Sequence, residues 1–173
     1  MATNRPVPVT ETLVRRAAPA DGHALFGAWQ RLRAYNAEVD RRVIPAPVSE
    51  DEFISDLEHL LQRPRSVTLV AERQNALAGF ISGSVEQNLP DRLPESHVTV
   101  GYLWVEERFR RLGIARALFQ QVAEWAATQD GVGHFEMAVL TADESAARFW
   151  RAIGFGPFIE RLWAPLSAPE RDE

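Results

Sequence analysis

Apolar residues recur along this chain in two rhythms. Spacing of three and four places Ala24, Leu25, Ala28, Trp29 and Leu32 on one face, predicting a helix from Asp21 to about Tyr35 with Asp21 as its cap. The same spacing joins Phe53, Ile54, Leu57, Leu60 and Leu61 into a second helix that stops before Pro64. Ser49 and Glu52 stand ahead of it at capping-box spacing. A third helix carries Ala115, Leu118, Phe119, Val122, Trp125 and Ala126, and ends near Asp130–Gly131. A fourth, "TADESAARFWRAIGF", has Thr141 and Glu144 at capping-box spacing and Gly154 as its left-handed stop. Between the helices lie runs that read as strands: "TLVRR", "SVTLVAE", "ALAGFISGSVE", "HVTVGYLWV" and "HFEMAVLTA". The second and third are joined by the turn "RQNA", which predicts a hairpin. A last segment, "FIERLWAPL", is expected to form an edge strand.

The order is strand, two helices, three strands, helix, strand, helix, strand. Hairpins followed by a β-α-β-α-β half predict an α/β chain with a mixed sheet and helices on both faces. One domain is expected over residues 13–166, with a lead-in over 1–12 and a polar tail over 167–173. The 173 residues include no cysteine, which removes disulfides, thiolate metal sites and a cysteine nucleophile. The net charge of −5 argues against a nucleic-acid partner. No apolar run approaches the ~20 residues of a membrane span, and no signal-like stretch opens the chain, so a cytoplasmic protein without a membrane partner is expected.

Against this acidic background, "RRLGIARALF" gathers Arg110, Arg111 and Arg116 around Gly113, where strand gives way to helix. The first N–H groups of a helix lack partners and carry about half a positive charge. Gly113 removes a side chain where a ligand would meet the backbone, and Ala115 keeps the next turn small. This is the physics of a diphosphate cradle. Neither G-x-x-x-x-G-K-[ST] nor G-x-G-x-x-G after a strand is present. A G-x-S-x-G elbow is absent as well.

The stretch "VEERFRRLGIARALF" resembles the acetyl-CoA signature of the GNAT superfamily of N-acetyltransferases, R/Q-x-x-G-x-G/A, with Arg110, Gly113 and Ala115 at its defining positions. "DESAARFWRAIGF" is similar to a second family element, N-x-x-A-x-x-F-Y-x-x-x-G-F, through Ala146, Phe149, Gly154 and Phe155. The resemblance covers about residues 97–158. It implies a splayed sheet of about six to seven strands, in which strand 98–105 parts from the strand near 135–140 and the pantetheine arm lies between them. It also implies acetyl-CoA as cosubstrate, held by the backbone of Leu103, Trp104 and Val105 and by Arg110, Arg111, Leu112, Gly113, Ile114 and Ala115. Asp143 and Trp150 are expected beside it.

Two residues depart from the family pattern. Asp143 replaces an asparagine and suits helix capping. Trp150 replaces a tyrosine that in many members protonates the leaving thiolate, and an indole N–H is no usable acid. A thiol of pKa ~8–9 can leave without a strong acid. Tyr102, beside the expected thioester, and Glu86, at the end of the preceding strand, are the candidate acid and base. His97 is an alternative base, and Tyr35 a candidate substrate contact. Glu38, Asp40, Arg41 and Arg42 lie where the family shapes its acceptor pocket, and their carboxylates would attract a cationic amine. His23, His59, His97 and His134 are far apart in sequence and show no metal-ligand spacing, so no metal is expected.

The expected activity is acetyl transfer to a primary amine by direct attack in a ternary complex. A larger acyl group, or a non-catalytic CoA-binding module on the same fold, are the alternatives. A homodimer through the last strand, with Trp163 exposed, is expected as well.

Overall fold

The structure is a computed structural model and describes residues 11–166. Most of the expected lead-in and the whole of the polar tail lie outside these residues. The elements run β1 (Leu13–Arg16), α1 (Gly22–Val39), α2 (Glu50–Gln62), β2 (Ser66–Arg73), β3 (Ala76–Gln87), β4 (Ser96–Val105), α3 (Ile114–Ala126), β5 (Val132–Glu136) and α4 (Glu144–Ala152). They build one mixed sheet in the order β1-β2-β3-β4-β5, antiparallel up to β4 and parallel between β4 and β5.

Local chemistry sets several element ends as expected. Ser49 accepts the Glu52 N–H while the Glu52 carboxylate accepts the Ser49 N–H, opening α2 with a reciprocal cap. Gln74 and Asn75 both adopt positive φ (54° and 58°), which closes the β2–β3 hairpin with the twist such strands favour. Gly154, at φ 105°, stops α4.

Four expectations need correction. Asp21 precedes α1, but its carboxylate is taken by two Arg15 nitrogens at 2.8 Å, so it ties β1 to the helix entry instead of capping. Thr141 does not cap α4; Asp143, which the sequence also suits to capping, is the N-cap and accepts the Ala146 N–H at 2.9 Å. β5 begins and ends earlier than "HFEMAVLTA", because its ladder with β4 stops at the pair Thr99–Glu136. Residues 157–166 form no strand, so the sheet has five strands among the described residues rather than six to seven.

Each face of the sheet carries a core. Ile81, Val98 and Val100 pack with Leu118 and Val122 of α3 and Trp150 of α4. Val70, Phe80 and Trp104 pack with Leu25, Ala28 and Leu32 of α1 and Leu57 of α2. β4 serves both cores through a bulge. Ser82 opposes Tyr102 and Gly83 opposes Val100, leaving Gly101 as the extra residue. Before it, Val98 and Val100 face α3; after it, Leu103 and Val105 face α3 and Trp104 faces α1. One inserted residue has exchanged the two faces of the strand.

Candidate active site: an open strand edge and a helix start

β4 pairs with β3 along its whole length but with β5 only from Ser96 to Thr99. Among the described residues its second half therefore has a free edge. The Glu106 N–H donates to the Ala78 carbonyl at 2.9 Å, and the Tyr102 N–H to Ser82 Oγ at 3.1 Å; both point to β3. Alternation along an antiparallel strand then turns the N–H and C=O of Leu103 and Val105 outward, to the free edge. The Val105 carbonyl indeed accepts Arg110 Nε at 3.1 Å.

Trp104 does not share this role. A Cβ added to Gly79 would lie 2.6 Å from the Trp104 carbonyl oxygen, so that carbonyl faces β3. The Trp104 ring is buried against α1, and its Nε1 donates to Glu106 Oε1 at 3.2 Å. The expected backbone contact from Trp104 is thus turned away from the opening.

Beyond β4 the chain makes a short 3-10 turn at Glu107–Phe109, then Arg111 and Gly113 take left-handed φ values of 62° and 79°. Along this path lie the N–H groups of residues 111–116. None of them has an acceptor among the described residues; the first to find one is the Ala117 N–H, on the Gly113 carbonyl at 3.0 Å. A Cβ at Gly113 would meet nothing within 4 Å, so the approach to these donors is open. Ile114 is buried and anchors α3, while Arg111, Leu112 and Arg116 are exposed. Arg111 and Arg116 have no acidic partner within ion-pair distance among the described residues, so their charge is free to act on an anion.

Arg110 is positioned differently from expectation. Besides bonding to Val105, its guanidinium lies over the rings of Trp104 (4.9 Å) and Tyr35 (6.0 Å). It fastens the turn to the strand end and to α1. Tyr35 in turn stands beside Asp143. Burial, and then the Asp143 carboxylate, push the Tyr35 hydroxyl up from its ordinary pKa, against a smaller opposing pull from Arg110. Asp143 is itself buried and engaged as the cap of α4. A second tie joins α1 to the same corner: Arg31 forks onto Glu106, with Nη2 to Oε1 at 2.7 Å and Nε to Oε2 at 3.1 Å. Nothing in the sequence signals this pair across 75 positions.

The remaining candidates separate. Tyr102 is half exposed at the bulge, beside the free edge. Glu86 opposes His97 at the other end of the ladder and accepts a hydrogen bond from Ser84 Oγ at 2.7 Å. It stands four positions along β3 from Ser82, the partner of Tyr102, about 13 Å at the usual rise. The structure does not bring this acid and base together. Trp150 is buried in the α3–α4 core, edge-on to Phe119 (5.7 Å) and Phe155 (5.0 Å). Asp40 is not free to attract an amine, because Arg42 forks onto it and lowers its pKa to about 2. Sequence distance also misled for the histidines: the β4–β5 pairing brings His97, His134 and Glu136 together.

The family model for acetyltransferase (GNAT) matches residues 29–155, from within α1 to just past the end of α4. The chain belongs to the acetyltransferase (GNAT) family. No curated protein matches its sequence. Solved structures share the GNAT fold at low identity. The tetramutant of the BH1408 protein from Bacillus halodurans superposes with a TM-score of 0.78 at 19% identity, over 89% of this chain and 99% of that one. AAC(6')-Iy in complex with the bisubstrate analog CoA-S-monomethyl-acetylneamine gives 0.73 at 17%, over 92% and 100%. A predicted acetyltransferase with acetyl-CoA from Clostridium acetobutylicum gives 0.70 at 16%, over 90% and 97%. In this GNAT chain the free edge of β4 is followed, after the 3-10 turn, by the unpartnered N–H groups at the start of α3.

Proposed function

We propose that the protein transfers an acetyl group from acetyl-CoA to a primary amine. The observation that carries this reading is the run of N–H donors without acceptors at residues 111–116, which follows the free edge of β4 after a short 3-10 turn. The donors suit a diphosphate, with Arg111 and Arg116 adding charge. Leu103 and Val105 offer the alternating donors and acceptors that a pantetheine arm, with its two amides, would pair with. Family membership, and solved relatives described with CoA or acetyl-CoA, point the same way.

In this reading the amine attacks the thioester carbonyl carbon as its neutral form. A C–N bond forms, and the oxyanion is held by strand N–H groups of Leu103 or Val105. Collapse of the tetrahedral species breaks the C–S bond and releases CoA as thiolate, which Tyr102 or water protonates. The proton shed by nitrogen leaves to water. No covalent enzyme intermediate is needed. Glu86, ion-paired with Arg63 at 3.9 Å, takes no direct part in removing the proton. The second copy of a homodimer covers the exposed apolar side chains Phe158, Ile159, Leu162, Trp163 and Leu166.

The test is a panel of amines with acetyl-CoA, monitoring free thiol and acetylated product. Saturable turnover on at least one amine supports the reading. Tight CoA binding with no turnover on any amine would instead support a non-catalytic CoA-binding module. The burial of Trp150 at the position of the family's tyrosine acid favours that second reading.

A further inference from the structure

On the sheet face opposite α3, at the last rung before β4 and β5 part, His97, His134 and Glu136 place one nitrogen or oxygen ligand atom each within 4.8 Å of one another. We propose that these three side chains form a binding site for a divalent transition-metal ion of the zinc class, which fastens β5 to β4 at the base of the splay. Two imidazoles and one carboxylate are a zinc donor set with a fourth position left for water.

The hydrogen-bond chain behind His97 argues for a built site. Asn88 Nδ2 donates to the Pro94 carbonyl at 2.7 Å, which fixes the amide and turns its Oδ1 toward His97. His97 Nδ1 lies 2.7 Å from that oxygen and must be the protonated nitrogen. In the neutral imidazole the lone pair of His97 then sits on Nε2, 3.8 Å from Glu136 Oε2. A lone pair and a carboxylate oxygen facing each other across that distance accept a cation between them; the Thr99 hydroxyl, 3.1 Å from Nε2, is the nearest donor. Orientation of a ligating imidazole through its other nitrogen is the usual support of a metal site. His134 stacks beside His97, with ring centroids 5.4 Å apart, and its Nε2 lies 3.0 Å from Glu136 Oε1. Moving its proton to Nδ1 frees Nε2 as the second nitrogen ligand with no net proton release. His134 and Glu136 also line a cavity of about 680 Å³ beside β5, which gives an ion an entry path.

The experiment titrates the whole protein with Zn²⁺ alone, by calorimetry and by competition with a chromophoric chelator. One Zn²⁺ per chain is expected, with affinity reduced at least about 100-fold in His97→Ala/His134→Ala. Asn88→Ala keeps all three ligands but releases His97, and is expected to weaken binding about 10- to 100-fold. His23→Ala removes a separate histidine–glutamate pair and is expected to change nothing. A hundredfold excess of Zn²⁺ over its dissociation constant raises the melting temperature by about 5–10 °C, whereas Mg²⁺ does not. Should the double variant fail to fold, Glu136→Gln replaces it, with the same expected loss. The proposal is overturned if wild type binds no Zn²⁺ at micromolar concentrations, or if either ligand variant binds it as wild type does.

Discussion

Replacing Gly113 by glutamate puts a side chain and a negative charge at the mouth of the donor cradle. Two consequences can be separated. At φ 79°, a residue with a Cβ costs about 1–2 kcal/mol in the free protein. No clash adds to this, since a Cβ there meets nothing within 4 Å. For a chain of this size the melting temperature falls by about 2–8 °C and the fold survives. The second consequence concerns the ligand. A carboxylate about 5 Å from a diphosphate with about two negative charges opposes it by roughly 2–4 kcal/mol at a partly shielded surface. Affinity for CoA should fall about 30- to 1000-fold. Calorimetric titration with CoA, paired with thermal melts, reads both effects. Gly113→Ala shares the strain without the charge and should lose less affinity. Gly131→Ala matches the strain, at φ 76°, far from the donors, and should leave binding unchanged. If Gly113→Glu binds CoA within about threefold of wild type, residues 111–116 are not the diphosphate site.

Asp143→Ala removes the cap of α4 and should lower stability by about 1 kcal/mol in thermal or urea melts, whereas Asp143→Asn keeps an acceptor and should lose less than half of that. Asp143→Asn should also lower the Tyr35 pKa, read by absorbance titration in a Tyr102→Phe background that leaves Tyr35 as the only tyrosine. The sign follows from linkage: the folded state holds the Tyr35 proton more tightly than the unfolded state, so its contribution is present below about pH 10 and is lost as pH rises through the folded value. Asp143→Asn should therefore flatten the alkaline fall in stability. Light scattering should report a mass twice that of one chain, and Trp163→Glu should halve it; a monomeric wild type refutes the homodimer.

Elements fixed by neighbours in sequence were legible before the structure. The Ser49–Glu52 cap, the Gln74–Asn75 turn and the Gly154 stop each depend on residues a few positions apart. The errors fall where a remote partner decides. Asp21 has every local mark of a cap, yet Arg15 captures its carboxylate from β1. The run "HFEMAVLTA" is apolar enough for a longer strand, but a strand persists only where it has a ladder, and β4 leaves β5 after Thr99. The site divides the same way. Gly113 and its donors were readable because a helix start is a local object. The orientation of Arg110 was not, since its acceptor and the two rings beneath it come from β4 and α1. The metal candidate was hidden for the same reason: residues 97 and 134 meet only through parallel pairing.

The bulge at Gly101 connects these observations. Without it, β4 would keep one set of side chains toward α3 throughout, and Trp104 would compete with Val98 and Val100 for that core. With it, Trp104 enters the α1 core, where it supports Arg110, and Leu103 and Val105 keep their backbone at the free edge. A lone glycine inside a strongly apolar strand is the sequence mark of such a bend. The same logic bears on Trp150. Its position is wrapped by Phe119, Phe149 and Phe155, so a tyrosine hydroxyl there would need a polar partner among aromatic rings. The indole suits that packing, and it leaves the protonation of a departing thiolate to groups on the β4 side of the opening, where Tyr102 stands half exposed.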